Sequence, residues 1–136
     1  MNTTDVIREL TIALSDWERY ESIPKEKFLT DRDTQNMVLH AMFLAIQAGI
    51  DAGAWLIATR KIPVKPSSYR ETFEILEKYG VLEPDLSSAL AALSSFRNIL
   101  IHQYSILDLE ETWEVLIHER EYLNRFVGIL IRSPSS

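Results

Sequence analysis

The 136-residue chain has no cysteine. That absence removes disulfides, thiolate zinc sites and cysteine nucleophiles together. It suits a reducing compartment, and the expected location is the cytoplasm. Glycine and proline are scarce, at 4 and 5 residues, which argues against a loop-rich or disordered chain. His40, His102 and His118 show no ligand spacing with one another. With no cysteine beside them, neither a metal nor another cofactor is expected. The opening MNTTDVIREL lacks the basic start and apolar run of a secretion signal. No apolar stretch is expected to reach the roughly 20 residues that span a bilayer, so no membrane contact is anticipated. Positive charge is also short, with 14 Lys and Arg against 20 Asp and Glu, a net charge of −6. The surface as a whole does not attract nucleic acid, and any RNA contact must be local.

What is present is helical periodicity, in five patterns separated by short breakers. Ile7, Leu10, Leu14 and Trp17 mark the first, about Thr4–Tyr20, with Thr3, Thr4 or Asp5 as its cap. The second runs about Thr30–Lys61 on Leu39, Met42, Phe43, Ile46, Ile50 and Ile57. Gly49 and Gly53 lie four apart on it, which predicts close approach of another backbone. Pro63 and Pro66 close the loop that follows. A short helix over about Ser68–Lys78 ends at Gly80, a left-handed cap position. Pro84 suits the first turn of a fourth helix reaching about Gln103, with Leu86, Leu90, Leu93 and Leu100 buried. The fifth covers about Leu109–Ile131, before a frayed tail from Arg132. Nothing reads as a strand. The expectation is an all-α antiparallel bundle of about five helices, one domain over residues 1–136.

One segment departs from a plain bundle. Arg97 is the only Lys or Arg between Tyr79 and Glu119, and it takes an apolar position on the stripe of Leu90, Leu93, Leu100 and Ile101. A buried guanidinium needs an acidic partner or an open cleft, and Asp51 on the long helix is a candidate partner. Tyr104 falls within roughly 20° of Arg97, whereas His102 lies about 140° round the helix. One ideal helix does not aim Arg97 and His102 at one point. A twofold pairing of this helix places two of each in a shared groove. The residue types suit metal-free RNA cleavage. Histidine takes or gives a proton near neutral pH, guanidinium clamps a phosphorane, and Asn98 supports either. A single His cannot serve as base and acid in one step, whereas a dimer supplies two.

Arg97-Asn-Ile-Leu-Ile-His102 resembles the signature of the HEPN superfamily, an Arg followed four to six residues later by His. Tyr104 extends it to the pattern of the HepT-like branch. Phe43–Asp51 and Pro66–Leu76 with Tyr79–Leu82 resemble two further blocks of that family, in the same order. The similarity spans roughly Thr3 to Leu130. It implies a helical homodimer acting as a metal-independent endoribonuclease toxin, with Arg97 and His102 catalytic in a dimer cleft. It also implies an MntA-type nucleotidyltransferase antitoxin that attaches AMP to Tyr104. Added phosphates beside Arg97 would occupy the place of an RNA phosphate. The rival reading is a non-catalytic helical domain that docks a nucleotidyltransferase.

From Ala52 to Arg70 there is no acidic residue, while Arg60, Lys61, Lys65 and Arg70 are basic. A basic C-terminus of a long helix is the plainer explanation, since its dipole favours it. An RNA-backbone track is the sharper one. Trp17, Trp55 and Trp113 read as core or interface, and the carboxylates after Asp108 as a solvated helix face.

Overall fold

Most helix starts among the described residues have a local cause. In the computed structural model, which describes residues 2–102 and 104–133 (for Tyr104 the backbone only), α1 spans Thr3–Tyr20. Its cap is Asn2, one residue before the expected Thr or Asp, and the Asn2 Oδ1 accepts from the Asp5 amide at 2.9 Å. The short α2, Lys25–Thr30, follows Pro24 and was not anticipated. It buries Phe28, whose ring lies 5.8 Å from that of Trp113. Asp31 then caps α3, Arg32–Thr59, by accepting from the amide and hydroxyl of Thr34. Those bonds hold the Asp31 carboxyl below its usual range. Ser68 caps α4, Tyr69–Lys78, and Gly80 turns it off at φ +78° as the sequence predicts. Pro84 opens α5, which runs to His102. A 3₁₀ turn over Tyr104–Ile106 leads to α6, Leu109–His118, and then α7, Arg120–Arg132. The expected end of the fourth helix at Gln103 falls outside the described residues.

The expected fifth helix is therefore two. Along its length Leu116, Leu123, Phe126 and Leu130 are buried. The break comes from the Trp17 indole, which donates to the Leu116 carbonyl at 2.8 Å inside the core. A continuous helix would spend that carbonyl on the Arg120 amide. Arg120 is held at the break by Glu21, at 2.8 and 3.1 Å, and by Glu18 at 3.4 Å. The tail also starts later than expected, since Arg132 is helical. Ser133 is nearly buried, donating to the Ile129 carbonyl at 2.8 Å and accepting from Arg60. Residues 134–136 lie outside the described residues.

No strand occurs among the described residues, and the architecture is an all-α bundle. α3 is its axis, packed by α1, α4, α5 and α7. By length and composition α3 could cross a bilayer, contrary to the sequence expectation. More than half of its apolar stretch is buried by the other helices, as suits a core helix (56% of that window). Gly49 and Gly53 do admit close neighbours, but these are side chains rather than a backbone. A Cβ at Gly49 would stand 2.6 Å from Leu123, and one at Gly53 would stand 2.8 Å from Thr72 and 3.3 Å from Phe73. Gly53 thus sets how closely α4 lies on α3.

Candidate active site

Close packing of α4 and α5 on α3 brings three separate segments to Arg97. Phe43, Gln47 and Asp51 recur at four-residue steps along one stripe of α3. Tyr69 is the first residue of α4. Arg97 lies on α5, two turns beyond the buried Leu90.

The Arg97 guanidinium is half-buried between two aromatic rings, its central carbon 4.8 Å from the Tyr69 ring centre and 5.4 Å from that of Phe43. Both contacts satisfy cation–π geometry. Its Nε donates to Gln47 Oε1 at 2.7 Å, and its Nη1 to Asn98 Oδ1 at 3.3 Å. Gln47 Nε2 in turn donates to Asp51 Oδ1 at 2.9 Å. Asp51 therefore reaches Arg97 through Gln47 and is not its direct ion-pair partner. The charge is met by ring faces and amide oxygens, which leave Nη2 and the second Nη1 proton for an anion. Among the described residues no carboxylate pairs with the guanidinium, which leaves it able to bind an anion.

His102 ends α5 and is exposed. Among the described residues no hydrogen bond or ion pair holds its ring. Asn98, one turn earlier, is exposed as well. Ile101 is 42% exposed, so the stripe that carries Arg97 is less deeply apolar at this end than its composition suggests. Between α3 and α5, on this side, His40, Phe43 and Ile101 help line a groove of about 300 Å³. Tyr104 begins the 3₁₀ turn, and its side chain lies outside the described residues.

Two of the four basic residues, Arg60 and Arg70, have side-chain partners. Arg60 bonds Ser133 Oγ at 3.3 Å. Arg70 pairs with Glu74 at 3.5 Å and donates to Ser95 Oγ at 3.2 Å, on α5 and two residues from Arg97. Lys61, at φ +57°, and Lys65 are exposed in the loop before α4. Sequence reasoning missed the part played by Gln47 and Tyr69. Gln47 left a signal, a polar side chain on the most apolar helix, one turn from both Phe43 and Asp51. Tyr69 left none, since its contact exists only once α4 has docked.

Comparison with known proteins places the chain in a family. Residues 10–129 match the family described as Ribonuclease HepT-like. The chain is 29% identical over 91 residues to the tRNA nuclease HepT of Aphanizomenon flos-aquae, a match covering 67% of this chain and 61% of that protein. It is 25% identical over 104 residues to the mRNA nuclease HepT of Shewanella oneidensis, covering 76% and 77%. Its fold resembles that of the tri-AMPylated Shewanella oneidensis HEPN toxin solved in complex with MNT antitoxin. The TM-score is 0.87 at 21% identity, covering 96% of this chain and 97% of that one. With the match extending from α1 to α7, the chain belongs to the Ribonuclease HepT-like family.

Proposed function

We propose that the protein is the endoribonuclease toxin of a toxin–antitoxin pair, cleaving RNA without a metal at Arg97 and His102. The observation that carries this reading is the Arg97 guanidinium, held against Phe43 and Tyr69 with Nη2 not engaged among the described residues. A ribose 2′-oxygen attacks the adjacent phosphorus, the bond to the 5′-oxygen breaks, and a 2′,3′-cyclic phosphate and a 5′-hydroxyl result. Arg97 stabilises the charge that gathers on the phosphorane oxygens. His102 handles a proton, either taking it from the 2′-hydroxyl or giving it to the leaving oxygen. Asn98 fixes one edge of the guanidinium.

The working unit is a homodimer. Met37 and Leu44 on α3 and Ile101 on α5 are exposed apolar side chains, at 50%, 43% and 42% exposure, that a second copy would cover. A second copy on this face would bring a second His102 to the groove. AMP placed on Tyr104 by a nucleotidyltransferase antitoxin silences the toxin, in line with the modified toxin and its antitoxin in the similar structure. Tyr104 lies two residues past His102, so its added phosphate would contend with RNA for Arg97.

The test is cleavage of RNA in EDTA by wild type and His102→Ala, with product ends analysed and Tyr104 verified bare by mass spectrometry. Cleavage by wild type alone, leaving 2′,3′-cyclic ends, is expected. Failure of bare wild type to cut any of several RNAs would overturn the reading in favour of a non-catalytic partner of the nucleotidyltransferase.

A further inference from the structure

A second cavity adjoins the Arg97 cluster, on the other side from the groove that holds His40. It has a volume of about 420 Å³, within the roughly 300–1,000 Å³ usual for small-ligand sites. Ile50, Ala54 and Thr72 give it an apolar lining, and Tyr69 and Pro66 add flat walls. Asp51, Ser67 and Asn98 bring polar groups to it. Two of its residues also belong to the Arg97 cluster: Tyr69 is a ring against which the guanidinium lies, and Asn98 accepts from Nη1. A phosphate on Arg97 thus has its own nucleoside within reach of the cavity.

We infer that this cavity is a nucleobase subsite, taking a base next to the scissile phosphate and favouring one with an exocyclic amino group. The inference rests on the ribonuclease reading of Arg97. Its chemistry is independent. A carboxylate in the wall repels the phosphate backbone but accepts hydrogen bonds from a base. Asp51 Oδ1 is engaged by Gln47, and its second oxygen is left to accept from a ligand. Adenine, guanine and cytosine offer an amino group there, whereas uracil does not. An aromatic wall suits any base face, so the carboxylate rather than the ring supplies the choice. Asp51 thereby serves the site twice, by steadying Gln47 and by reading the base.

The experiment titrates the four nucleoside 3′-monophosphates onto the full-length wild type by calorimetry, and maps cleavage sites on a random single-stranded RNA pool. Ala54 is exposed, so Ala54→Phe fills the cavity without entering the core. Ala54→Phe is expected to weaken the amino-bearing nucleotides by about tenfold or more, the scale of one lost stacked base. Asp51→Asn should erase their advantage over uridine 3′-monophosphate. Arg97→Ala should weaken all four alike, through the phosphate. Equal nucleotide binding by wild type and Ala54→Phe overturns the subsite. So does an unchanged base preference in Asp51→Asn. Unaltered cleavage positions in Ala54→Phe, with RNA still cut, overturn it while leaving the ribonuclease reading intact. Cavity-dependent nucleotide binding by a protein that cuts no RNA supports the subsite and removes the ribonuclease reading.

Discussion

Arg97 and His102 share one helix and differ in almost everything else. Arg97 is half-buried, stacked between two rings and bonded by Gln47 and Asn98. Its position is fixed within one copy of the chain by α3, α4 and α5. His102 is exposed at the end of the same helix, with no bond to its ring among the described residues. The difference separates two tasks. Electrostatic stabilisation needs a charge oriented before the reaction begins, because reorganising it during the reaction would consume the benefit. Proton transfer needs a group that meets its target only in the assembled complex. A fixed Arg and an open His fit a site that is half-built in the single chain and completed by RNA and a second copy.

That contrast can be broken at either end. His102→Ala should lower the cleavage rate most, by about 10²–10⁴-fold, with the thermal melting curve unmoved because the side chain is exposed. A large drop in melting temperature would mean His102 is structural. A heterodimer with one His102→Ala subunit sharpens the point, since a shared site predicts far less than half the wild-type rate. Arg97→Lys should cost about 10²–10³-fold. An ammonium keeps the charge but cannot lie flat between Phe43 and Tyr69 while bonding Gln47. Wild-type rates in Arg97→Lys would show that the clamp is irrelevant. Gln47→Leu should follow with a loss of about tenfold, within the cost of a small misplacement of a catalytic group. The pH profile of the remaining activity should keep its shape, because Gln47 orients a charge and moves no proton.

Much of this was legible in advance, for a physical reason. α5 carries its stripe, its proline start and its odd Arg within twenty residues, so local chemistry fixed it. The helix start near Ser68, the loop at Pro63 and Pro66 and the left-handed Gly80 are local in the same way. What escaped depends on partners far along the chain. Trp17 breaks the last helix by taking the Leu116 carbonyl, and no pattern around Leu116 announces it. Asp51 was expected to partner Arg97, yet Gln47 stands between them, because helix stripes tell which face a residue shares and not which side chain arrives first. Tyr69 sat in a basic stretch that invited an electrostatic reading. Its ring is the part that meets the guanidinium, and only the docking of α4 places it over Arg97.

The fold and the Arg97 clamp therefore share a weak point at the seat of α4. Gly53→Ala sets a methyl group 2.8 Å from Thr72 and 3.3 Å from Phe73, both buried. Overpacking of this kind costs about 1–3 kcal/mol. The strain is relieved most directly by moving α4 outward, and Tyr69 moves with it. Gly53→Ala should thus lower both melting temperature and cleavage rate. Ser68→Ala is the milder companion. It removes the hydroxyl that accepts from the Glu71 amide at 3.1 Å, at a cost of about 1 kcal/mol, and frays the first turn where Tyr69 sits. Its expected signature is a small loss of stability with a rate loss smaller than that of Gly53→Ala. Chemical denaturation and RNA cleavage measured on the same samples decide the matter. If both variants lose stability and keep the full rate, Tyr69 is a bystander, and Phe43 with Gln47 holds Arg97 unaided. If the rate falls in step with the displacement of α4, the immobility of Arg97 comes from the packing of the bundle.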